Sequence, residues 1–67
     1  MSEADKMFEE LGYKEFFKNS IDIRYSNESN ETICFYGAVK TFEKCIYPIN
    51  MQELKAINKK VEELGWN

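Results

Sequence analysis

The hydrophobic positions of this 67-residue chain change period twice. Ala4, Met7, Phe8 and Leu11 recur at spacings of three and four, which places them on one face of a helix. Ser2 is placed as its N-cap, with a hydroxyl able to accept from the Asp5 amide, and Gly12 ends the run. The period then falls to two. Ile21, Ile23 and Tyr25 alternate with Asp22, Arg24 and Ser26 as in a half-buried strand. Ser26 to Asn30 is turn material, and Thr32 to Tyr36 is a β-branched and aromatic strand. Gly37 breaks that strand and allows a hairpin turn, and Thr41 to Tyr47 reads as the next strand. If Ile33 and Phe35 face a core, so do Phe42 and Ile46. Lys44 then lies between them, in a position that a bulge or a sheet edge would relieve. Tyr13 to Phe17 reads as a further short strand paired to Ile21–Tyr25.

Helical spacing returns at Met51–Leu64, where Leu54, Ile57, Val61 and Leu64 form an apolar stripe. Asn50 and Glu53 have capping-box spacing, Ile49 can staple onto Leu54, and Pro48 stands just ahead of the helix start. Lys59 and Glu63 are four apart and can pair on the wet side.

The order is helix, three or four antiparallel strands in a meander, helix. Each helix has one apolar face and the sheet has one cleaner apolar face, so both helices cover the same side of a two-layer α+β domain spanning residues 1–67. The uncovered side carries Cys34, Tyr36, Thr41, Glu43, Cys45 and Tyr47. Tyr13, Phe16, Phe17, Tyr25, Phe35 and Phe42 are read as core, the usual use of aromatics in a chain too small to bury much else.

Glu9-Glu10-Leu11-Gly12-Tyr13 is nearly repeated as Glu62-Glu63-Leu64-Gly65-Trp66. A glycine in the left-handed conformation just past a helix brings the following residue against the one five before it. That pairs Tyr13 with Phe8 and Trp66 with Val61. Both copies have an apolar residue where this stop signal wants one, so the echo reads as one helix terminator used twice, with an aromatic lid each time. No other segment repeats, which argues against a duplication.

Composition narrows the chemistry. The net charge is −3, which disfavours nonspecific nucleic-acid binding. Histidine is absent, removing the commonest general base and metal ligand. Two cysteines eleven apart do not make a zinc site, and three dispersed glycines make no phosphate-cradling loop. The expectation is therefore a protein that is not an enzyme and holds no metal or cofactor. Glu9-Glu10 and Glu62-Glu63 diverge around their helices and read as solvated surface. Nothing at the N-terminus resembles a signal peptide and no apolar run approaches a membrane span, so a cytoplasmic protein with reduced Cys34 and Cys45 is expected. The sequons at Asn27 and Asn30 are then accidents of a polar turn.

The segments "MFEELGY", "I-x-I-R-Y", "KTFEK" and "INMQELKAINKKVEELGW" resemble a family of small uncharacterised proteins from phages and prophages of Gram-positive bacteria. The resemblance covers nearly the whole chain, is strongest over Ile49–Trp66 and brings no catalytic motif. It implies an accessory protein made in a host cytoplasm. The expected function is a protein-interaction module that binds a host or phage protein, as an inhibitor of a host enzyme or defence system. Its expected contact surface is Cys34, Tyr36, Glu43, Cys45 and Tyr47, because alternation leaves them on the open side. The alternative is a weak nucleic-acid binder using Lys55, Lys59 and Lys60 as phosphate contacts. A homodimer formed by pairing an edge strand is a further expectation.

Overall fold

The computed structural model describes residues 2–66. Helix α1 (Glu3–Glu10) leads into strands β1 (Lys14–Lys18), β2 (Asp22–Ser26), β3 (Thr32–Tyr36) and β4 (Thr41–Lys44), followed by helix α2 (Met51–Leu64). The strands form one antiparallel sheet in the order β1-β2-β3-β4, a simple meander. Local chemistry sets the helix boundaries. The Asp5 amide donates to the Ser2 hydroxyl at 3.0 Å, and Asn50 and Glu53 complete a reciprocal capping box.

Both helices end as the repeated stretch predicts. Gly12 has φ 91° and Gly65 has φ 74°. The Tyr13 amide donates to the Phe8 carbonyl at 2.9 Å, and the Trp66 amide to the Val61 carbonyl at 3.1 Å. The Tyr13 ring meets Phe8 edge-on, with 6.1 Å between centroids. Trp66 closes the other end of the core against Phe35, also at 6.1 Å.

Alternation decides which sheet face is covered. Ile23, Tyr25, Ile33 and Phe35 point to one side and pack with Phe8 of α1 and with Ala56 and Ile57 of α2. Phe8 stacks on Tyr25 at 4.4 Å and meets Phe35 edge-on at 6.0 Å. The helices run antiparallel over this face. The start of α1 meets the end of α2, where the Ala4 amide donates to Glu63 at 2.9 Å and Glu3 pairs with Lys59 at 3.2 Å. Glu63 thus caps α1, using an amide donor that the helix leaves without an internal partner. The predicted Lys59–Glu63 pair is replaced by Lys59–Glu62, at 3.5 Å.

Three sequence expectations are corrected. First, the buried line of α2 is Glu53, Ala56, Ile57 and Lys60, while Leu54 and Val61 are only half-buried. The helix is rotated about one residue from its apolar stripe, because Glu53 and Lys60 have partners in the interior. Second, Phe16, Phe17 and Phe42 are exposed, and not part of the core. A bulge between Glu15 and Phe17 turns Phe17 to the side of Arg24, and Phe42 lies on edge strand β4, tilted against Phe35. Third, the last strand stops at Lys44, and Ile46 lies outside it with 90 % of its surface exposed.

Gly37 has a different reason from the one predicted. Its amide donates to the Ile21 carbonyl, and a Cβ there would overlap that carbonyl. The positive φ of the β3–β4 turn falls on Lys40, at 55°.

Candidate functional site

Lys44 faces the covered side of the sheet, opposite Ile33. Its ammonium has three N–H donors, and three acceptors meet it: Glu31 at 2.9 Å, Glu53 at 2.7 Å and the Pro48 carbonyl at 2.9 Å. The other Glu53 oxygen accepts from the Tyr13 hydroxyl at 2.7 Å. This buried network ties the lid of α1, the end of β4, the β2–β3 turn and the start of α2 together. Burial pushes the Glu53 carboxyl up, but hydrogen bonds from Lys44, Tyr13 and the Asn50 amide outweigh it and hold the group below its ordinary pKa. Burial and the bond to Glu53 push the Tyr13 phenol up to about 12. A second cluster sits at the opposite end of the helix pair, where Asp5 accepts from the Tyr25 hydroxyl at 2.6 Å and lies 3.3 Å from the Lys60 ammonium.

The first network fixes where the chain leaves the sheet. Cys45 is still tethered to β3, its amide donating to the Thr32 carbonyl at 3.1 Å. Lys44 grips the Pro48 carbonyl from the other side. The residues between must turn within that span, and they do so sharply. The Tyr47 amide donates to the Cys45 carbonyl at 2.8 Å, which makes Ile46 the centre of a γ-turn with φ 73°. A β-branched residue in that region is strained. Its side chain stands in solvent, with Tyr47 next in sequence also exposed, at 47 %. Neither burial nor hydrogen bonding by the side chain compensates the strain at Ile46.

Below this loop lies the uncovered sheet face. Phe17, Arg24, Cys34 and Glu43 form one row across the four strands. Tyr36 donates to Glu43 at 3.0 Å, and the Cys45 thiol lies 3.9 Å from the same carboxylate oxygen. The bond to Glu43, then burial, pushes the Tyr36 phenol up to about 12. Cys34 is only 5 % exposed although no helix covers it, and burial pushes its thiol up. Arg24 lies over the Phe17 ring at 4.9 Å, and its buried Nε has no hydrogen-bond partner.

Of the expected contact residues, Tyr36, Glu43 and Cys45 come together, Tyr47 follows in the loop, and Cys34 lies beneath its neighbours. The three lysines of α2 do not form a common basic edge: Lys55 is exposed, Lys59 pairs with Glu3 and Glu62, and Lys60 is buried against Asp5. Sequence reasoning does not single out Ile46 or Arg24. Ile46 obeys a strand alternation that stops at Lys44, two residues short of it. Arg24 is the only arginine, on the polar side of its strand, which is the available signal. Among the described residues, no group of three or more acidic, cysteine or histidine side chains is placed to hold a metal ion, and no helix is long and apolar enough to cross a membrane. No family profile, curated protein or solved structure matches the chain.

Proposed function

We propose that this chain is a small protein-interaction module without catalytic activity, and that the loop after β4 is its contact surface. The observation that carries this reading is Ile46, a β-branched side chain held at φ 73° and 90 % exposed. The fold fixes the turn but not a β-branched side chain at its centre, and strain that glycine would relieve marks a position kept for another purpose. An exposed apolar knob followed directly by Tyr47 fits the anchor type that fills a pocket on a protein partner. The Lys44–Glu53 network supports the reading, because it anchors both ends of the loop and lowers the ordering cost on binding. The resemblance to small phage and prophage proteins suggests a partner in the host cytoplasm, with inhibition of a host enzyme or defence system as the outcome.

Capture from host lysate tests this, with the wild type and three variants side by side. Ile46→Ser and Tyr47→Ala should each lose a protein that the wild type and a Glu10→Ala control retain. Equal capture by all four would remove the loop from the account.

A further inference from the structure

The uncovered sheet face carries an inference beyond the loop. Arg24 and Glu43 sit in one row, on β2 and β4, with Cys34 of β3 between them. Two strand spacings, roughly 10 Å, separate their backbones, and among the described residues no ion pair joins them. Arg24 has no salt bridge among the described residues and keeps a buried Nε without an acceptor. Glu43 uses one carboxylate oxygen for Tyr36 and Cys45, and its other oxygen has no hydrogen-bond partner among the described residues. A cation with an aromatic neighbour but no anionic partner among the described residues, and a half-used anion, therefore lie one strand to either side of β3.

That arrangement is self-complementary. A two-fold axis running parallel to the strands, above β3, carries each β2 position over a β4 position of the other copy. Arg24 then meets Glu43 of the second copy, and Glu43 meets its Arg24, with the two Cys34 residues facing each other on the axis. An axis perpendicular to the strands would instead set Arg24 against Arg24. We propose that a second copy of this chain docks face to face on the open sheet, held in this one orientation by two reciprocal Arg24–Glu43 pairs.

The sheet edges are poorer docking sites. β1 is kinked by its bulge and begins and ends in Lys14 and Lys18, and β4 is only four residues long, features that discourage edge pairing. The face is small, roughly 300 Å² in projection against about 800 Å² per partner in a standard interface. The dimer is therefore weak and concentration-dependent. It leaves the function of the Ile46 loop as a separate question, since that loop lies outside the row.

The test is sedimentation velocity over a concentration series into the millimolar range, with folding checked by circular dichroism. The wild type should dimerise. Arg24→Glu and Glu43→Arg should each weaken association about tenfold or more, and the double exchange should restore it. A wild type that stays monomeric throughout, or a dimer indifferent to both exchanges, overturns the proposal. Amide chemical shifts of the wild type on dilution give a reading that needs no variant. Changes centred on Arg24, Cys34 and Glu43 support the face; changes confined to the outer edge of β1 or β4 overturn it. Ile46→Ser should dimerise as the wild type does, so failure of the loop reading and failure of this one are told apart.

Discussion

The Lys44 ammonium lies 2.7 Å from the Glu53 carboxylate, both nearly out of water, at one end of a core of aromatic and aliphatic side chains. The pair is stable there because no donor of Lys44 and neither oxygen of Glu53 is left over. Removing one member strands the other. Lys44→Met should destabilise the protein by roughly 3–5 kcal/mol, a large part of what a chain this size possesses. Urea denaturation measures it, and a loss under about 1 kcal/mol would show that the network is dispensable.

The same groups set the response to acid. Asp5, Glu31 and Glu53 are each held below their ordinary carboxyl pKa in the folded protein. A depressed folded pKa means stability that is present above the unfolded pKa and lost as pH falls through the folded value. The urea midpoint should therefore be flat above about pH 5 and fall below about pH 4. Glu53→Gln should make that fall shallower. At the other end of the scale, Tyr13 and Tyr36 should ionise near 12 in the native protein, later than free tyrosine, by ultraviolet difference titration.

The three glycines separate two causes of glycine dependence. A Cβ at Gly12 or Gly65 meets nothing, so alanine there costs only its entry into the left-handed region, about 1 kcal/mol. At Gly37 the Cβ collides with the Ile21 carbonyl, and backbone cannot move aside cheaply. Gly37→Ala should cost clearly more than Gly65→Ala in thermal denaturation. The reverse order would contradict the packing at the start of β2.

The thiols should differ in reactivity. Cys45 is exposed, and Cys34 is buried with its thiol pushed up by that burial. A thiol reagent should modify Cys45 rapidly and Cys34 only on the timescale of opening, as a Cys45→Ser variant would show by mass spectrometry.

Much of the frame is legible in the residues. The caps at Ser2 and Asn50, the twin stops at Gly12 and Gly65, and the alternation in β2 and β3 are local signals, and local signals survive folding. The interior ion pairs are not local. Glu53 and Lys60 look like wet-side residues in the helix alone; Lys44, Tyr13 and Asp5 meet them from other elements, and α2 is set with that side inward. Lys44 is the visible trace, a charge on the wrong face of a strand pattern. Phe16 and Ile46 are missed for a related reason. A bulge and a γ-turn each shift the alternation by one residue, and a period-two pattern carries no mark of where it will be interrupted.

On the proposed function, Ile46 is held in its turn for contact and not for the stability of the fold. Glycine adopts φ 73° freely and loses only a side chain that touches solvent, so relief of strain should offset the added chain entropy. The urea midpoint of Ile46→Gly should equal or exceed that of the wild type. A loss of about 1 kcal/mol or more would make Ile46 a structural residue and contradict the claim.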